Sequence, residues 1–148
     1  MTLIDNAFGT GDASAPGVLS FLRRGQKAPC RVALIGGYAP RKCGIATFTT
    51  DIYEQLRAHH SDISVDLHVI DDARSPLEYA GVRGLIRSDQ AEDYRAAARR
   101  MNEDAVDAVW LQHEYGIFGG ADGDMVLELV DRVAAPLIVT LHTVLAEP

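Results

Sequence analysis

The chain has 148 residues, 47% of them hydrophobic, a mean hydropathy of -0.01 and a net charge of -7. That length suits one domain with a proper core. The acidity argues against a general nucleic-acid or anionic-membrane surface, leaving only local basic spots such as Arg41-Lys42.

Two cysteines, Cys30 and Cys43, do not make a disulfide framework and read as free thiols in a reducing compartment. No apolar run approaches the roughly 20 residues needed to span a bilayer. The first 28 residues lack a basic segment followed by an apolar one, so no secretory signal is read there. A cytoplasmic protein is the expectation. Residues 1–28 read as a loose leader rich in Gly, Ala, Ser and Asp, with a small apolar cluster at Val18, Leu19, Phe21 and Leu22.

The first strand is expected over Arg31 to Gly36, where Val32, Ala33, Leu34 and Ile35 form a near-continuous apolar run. Such a run suits a strand covered on both faces, as in a parallel sheet. Gly36-Gly37 ends it. A loop from Tyr38 to Gly44 holds Pro40 and two cations, and a helix follows from about Ile45 to His59. Ile45, Phe48, Ile52 and Leu56 make its apolar stripe. A second strand, Ser64 to Ile70, alternates Val65, Leu67 and Val69 with Ser64, Asp66 and His68. This predicts a half-exposed strand near the sheet edge with His68 on its wet face. Val82, Leu85 and Ile86 suggest a short third strand weakened by Gly81 and Gly84. Asp89 to Asn102 reads as a helix whose Arg95, Arg99 and Arg100 form a solvated, dipole-complementing end.

The fourth strand is expected over Val106 to Gln112, with Trp110 in the core. The run Gln112-His113-Glu114 and a glycine-rich aromatic loop, Tyr115 to Gly120, follow. Asp122 is the expected N-cap of a helix over Gly123 to Ala134 that buries Met125, Leu129 and Val133, with Val126 and Val130 alongside. The last strand is Leu137 to Leu141, ending in His142-Thr143. Strand–helix alternation throughout gives an α/β fold: Rossmann-like, doubly wound and mainly parallel, with helices on both faces. Residues 29–148 form the domain.

Ligands collect at the carboxyl ends of such strands. Three of these ends carry unusual residues: Gly36-Gly37 with Arg41-Lys42 beyond, Gln112-His113-Glu114 with Gly119-Gly120, and His142-Thr143. A glycine loop before a helix N-terminus is suited to an anion, because bare backbone N–H groups and the helix dipole both face it. The loop is neither GxGxxG nor a Walker sequence, and a plain strand-to-loop turn explains the glycines as well. His113 and His142 suit proton transfer or hydrogen bonding to sugar or phosphate oxygens. Glu114 reads either as an acid or base, or as a cap of the next segment. No HExxH or CxxC suggests a metal site, and no GxSxG marks a nucleophile.

Three segments carry a family resemblance: Tyr38 to Ile52 (YAPRKCGIATFTTDI), Val109 to Gly120 (VWLQHEYGIFGG) and Pro136 to Pro148 (PLIVTLHTVLAEP). Together they resemble the amino-terminal domain of bacterial family 4 glycosyltransferases, retaining enzymes of the two-domain GT-B architecture. The resemblance covers residues 31–148. It implies a hexosyltransferase moving a sugar from a nucleotide-sugar donor to a saccharide or lipid-linked acceptor, with no metal required.

The resemblance also implies roles for individual residues. Gly36 and Gly37 would approach the donor phosphates. His142 would lie near the donor hexose, and His113, with His142 a catalytic candidate on the residue reading above, would fall in the segment bordering the acceptor. Arg41, Lys42, Glu114, Gly119 and Gly120 would border the acceptor. A carboxy-terminal donor-binding domain with two glutamates seven residues apart would be the missing partner, so this chain alone is expected to be inactive. Peripheral membrane contact is compatible with a lipid-linked acceptor; a transmembrane segment and nucleic acid are not expected.

Two other readings stand beside this one. A dinucleotide-binding Rossmann domain would use Asp71-Asp72 at the end of the second strand for a ribose, though GxGxxG is absent. A receiver-like interaction module would need a lysine after a late strand, and none follows Lys42.

Overall fold

The computed structural model describes residues 30–72 and 77–145. The expected leader over residues 1–28, with its apolar cluster, lies outside the described residues. Five strands form one parallel sheet: β1 (Cys30–Gly36), β2 (Ile63–Asp71), β3 (Gly84–Arg87), β4 (Ala108–His113) and β5 (Leu137–Leu141). Their spatial order is β3-β2-β1-β4-β5, which puts β1 in the middle. The chain turns back across β1 to start β4, so the winding reverses between β1 and β4. The fold is α/β and Rossmann-like.

Helices cover both faces. Successive side chains of a strand point to opposite sides, and β1 shows the result. Ala33 and Ile35 pack with Tyr94, Ala97, Ala98 and Met101 of α2 (Ala91–Glu103). Leu34 packs on the other side with Tyr53 of α1 (Gly44–His59), together with Leu67 and Val69. The apolar run of β1 is therefore buried from Ala33 to Gly36.

β2 departs from the sequence expectation. It is not at the edge but lies between β1 and β3, and Leu67, His68, Val69 and Ile70 are buried in succession. Only its first half keeps the alternating character. His68 is 1% exposed, not solvated, because α2 roofs this face and its register partner Gly84 has no side chain to crowd the imidazole.

The arginines of α2 are also more than a solvated helix end. Arg95 reaches Glu128 at 2.8 Å and Glu92 at 3.4 Å, and Arg99 reaches Glu92 at 2.8 Å.

The expected helix over Gly123–Ala134 is mostly replaced. A 3-10 segment, Ala121–Val126, runs into a short α3 (Leu127–Val130). Asp122 and Gly123 take φ values of 54° and 83°, so Asp122 sits in the left-handed region and caps nothing. The tight path arises where Gly123 packs against the Tyr115 carbonyl and Phe118. The expected apolar face nevertheless forms: Val126 and Leu129 are buried, and Met125, Val130 and Val133 pack beside them. Trp110 is half-buried rather than fully in the core, and its indole N–H donates to Thr140 Oγ1 at 2.9 Å.

Candidate functional site

The winding reverses between β1 and β4, and in sheets of this kind ligands bind beyond the carboxyl ends of the two strands at such a point. Gly36 closes β1 there, and its missing side chain is a steric requirement. A Cβ at this position would stand 2.8 Å from Thr49 Oγ1 and 3.0 Å from Gln112 Cβ. Helix α1 and the end of β4 can approach β1 this closely only over a glycine. Gly37 is buried, but a Cβ there would meet Ala46 no closer than 3.6 Å, an ordinary contact.

Cys43 caps α1. Its Sγ accepts from Ala46 N at 3.4 Å and from Arg41 Nε at 3.3 Å.

Alternation along β4 decides which groups meet. Val109 and Leu111 face α2, so Gln112 faces the α1 side and His113 turns back toward the α2 side. Gln112 is fully buried, and its Oε1 lies 3.0 Å from His142 Nε2. An amide oxygen only accepts, so Nε2 carries the proton and, in the neutral ring, Nδ1 keeps its lone pair. Phe48 of α1 stands edge-on to His142 with ring centroids 4.9 Å apart. Gly36, Thr49, Gln112, Phe48 and His142 thus form one continuous group. The Gln112 Nε2 amide in it has no hydrogen-bond partner.

His113 belongs to a different environment. It packs on Tyr115 and Phe118 at 5.1 and 5.3 Å, and its Nδ1 is buried and unpaired. The two histidines are tied through backbone instead: His142 N donates to the His113 carbonyl at 3.0 Å. Between them Thr143 Oγ1 donates to Glu114 Oε2 at 2.7 Å, and Glu114 Oε1 accepts from Tyr115 N at 3.1 Å. Glu114 therefore performs the capping role that the sequence left open, and also clasps the end of β5.

The remaining candidates are more dispersed. Arg41 forms an ion pair with Asp72 at the end of β2, while Lys42 is exposed. Tyr79 donates to Asp71 Oδ1 at 3.2 Å, and burial followed by the Asp71 charge pushes its hydroxyl up to about 12. The acidic pair that a dinucleotide ribose would need is thus engaged within the chain. A Cβ on Gly119 would collide with the Ser88 carbonyl oxygen, and Gly120 has φ 88° with Asp124 Oδ1 standing where its Cβ would be. Local packing accounts for both glycines. Among the described residues no three His, Cys, Asp or Glu side chains cluster as a metal site would require.

Sequence reasoning noted Gln112 only within the run Gln112-His113-Glu114, with no role of its own, and did not single out Thr49. A neutral polar residue ending a buried strand is the only signal Gln112 offers, and Thr49 shows none. No helix among the described residues is long and apolar enough to cross a membrane. No protein-family model, curated protein or solved structure matches the chain.

Proposed function

We propose that the chain is the acceptor-side, amino-terminal domain of a retaining, cytoplasmic glycosyltransferase of the GT-B type. It would act with a separate donor-binding domain to move a hexose from a nucleotide-sugar to a saccharide or lipid-linked acceptor. The observation that supports this best is the grouping of Gly36, Gln112 and His142 where the sheet winding reverses. Gly36 lets α1 and the end of β4 close on β1, which sets Gln112 and with it His142 in place. The oriented His142 ring offers its Nδ1 to a sugar hydroxyl on a surface also lined by Phe48. Neither a nucleophile nor a metal is needed for such a role. The wall provides orientation and hydrogen bonds, while the second domain would provide most of the contacts to the nucleotide.

The test is turnover by the parent protein carrying both domains. His142→Ala is expected to lower kcat with nucleotide-sugar donors by on the order of 100-fold, with an unchanged circular dichroism spectrum. Gln112→Leu, which keeps bulk but loses the acceptor, should reproduce part of that loss. Full turnover in His142→Ala across several nucleotide-sugars would refute the reading.

A further inference from the structure

Away from the strand ends, a cavity of about 190 Å³ lies between α2 and the β2–β3 pair. At roughly 30 Å³ per water it has room for about six water-sized groups, too small for a nucleotide and large enough for a short organic ion. Ala96 and Ala97 supply apolar side chains, and His68, Asp93 and Arg100 supply the polar atoms. His68 is 1% exposed, and its Nδ1 has no hydrogen-bond partner. The place a Cβ of Gly84 would occupy lies 2.7 Å from that Nδ1 and 3.6 Å from Arg100 Nη1. Both nitrogens therefore lie beside the bare Cα of Gly84, with the imidazole edge taking up the space a side chain would fill.

Charge decides what suits it. Asp93 is already satisfied by Arg87, whose Nε and Nη2 donate to it at 2.7 and 2.9 Å. Asp66 and Asp104, the other carboxylates facing His68, are held by Arg31 and Arg83. Arg100 differs from its neighbours on α2. Arg95 and Arg99 pair with glutamates, whereas Arg100 donates only to the Arg83 carbonyl at 2.8 Å and has no carboxylate partner among the described residues. One cation at the mouth, one neutral buried donor and an apolar lining fit a single negative charge on a short hydrocarbon.

We propose that this cavity is a binding site for a small monocarboxylate, its carboxylate bridging Arg100 and His68 Nδ1 and its tail lying on Ala96 and Ala97. The electrostatics agree. Burial first, then Arg100 and Arg83, lower the His68 pKa to about 4, against the opposing pull of Asp66 and Asp104. The ring is therefore neutral near pH 7, free to donate from Nδ1 at no cost of a second buried charge. A dianion such as phosphate would bring more charge than one unpaired guanidinium can balance.

The test is histidine-detected NMR of this chain in a carboxylate-free buffer, titrated with butyrate and, separately, with inorganic phosphate. Butyrate is expected to shift the His68 ring signals saturably, with a Kd on the order of 1 mM. Arg100→Gln, at an exposed position, should weaken it by about tenfold or more. Ala96→Leu, which fills the cavity from α2, should abolish it independently. No saturable His68 shift, tighter binding of phosphate, or unchanged affinity in a folded Arg100→Gln protein would overturn the proposal.

Discussion

Buried in β2 with Nδ1 unpaired, His68 makes stability depend on acidity. Its pKa of about 4 in the fold lies below the ordinary histidine value of about 6.5 expected in the unfolded chain. Between these values the unfolded state takes up a proton that the folded state refuses. The contribution is present in full above about pH 6.5 and is lost as pH falls toward 4, amounting to at most about 3 kcal/mol. Denaturant melts should therefore show a smaller loss between neutral and acidic pH for His68→Asn than for the unsubstituted protein; equal losses would remove His68 as the source. The sequence does not reveal this burial. Ser64, Asp66 and His68 alternate with apolar residues as on a half-exposed strand, and only the pairing of β3 with Gly84 opposite His68 makes room inside. The contact between Gln112 and His142 was equally hidden, because it needs β5 beside β4 and the alternation of β4 to be known.

Among the helices, α1 was the most legible and α3 the least. The α1 stripe is regular, and its start within a residue of Ile45 follows from Gly44 and the loop before it. What the pattern did not show is that Cys43, rather than a hydroxyl or carboxylate, is the cap. A thiol is a weak acceptor. Cys43→Ala is therefore expected to cost only about 0.5–1 kcal/mol, and Cys43→Ser to equal or exceed the parent stability, as read from thermal unfolding. A larger loss for Ser than for Ala would show that the cap is not what the thiol provides. The α3 region failed for a local reason. Gly119 and Gly120 were read as part of an aromatic loop and Gly123 as the start of a helix, yet Gly120 and Gly123 have positive φ and Gly119 is pressed on the Ser88 carbonyl, so the chain makes a compact 3-10 path before any α-helix. The arginines of α2 then reach across to α3 through Glu128, a contact that charge runs on one helix cannot announce.

At the scale of the molecule, the α/β class and all five strands were legible from apolar runs, and the parallel sheet from their alternation with helices. The strand order was not, since it depends on which edge each crossover reaches. That order leaves β5 at one edge, with Ile138 50% exposed and Leu141 56% exposed. It also places β1 at the centre, with Val32 opposite both Val65 and Ala108. One partner is close along the chain and the other far, so β1, α1 and β2 can assemble early at small loop-closure cost, while β4 and β5 must be brought in over a long loop. Refolding should therefore be polarised. In stopped-flow experiments Val69→Ala, within the early unit, is expected to slow folding and leave unfolding nearly unchanged. Leu137→Ala, on β5, should leave folding alone and hasten unfolding; the reverse pattern would place the nucleus elsewhere. The group of residues at the end of β1 would then be among the last features to form, because Gln112 arrives with β4. A chain caught midway would have a settled glycine loop with nothing yet facing it.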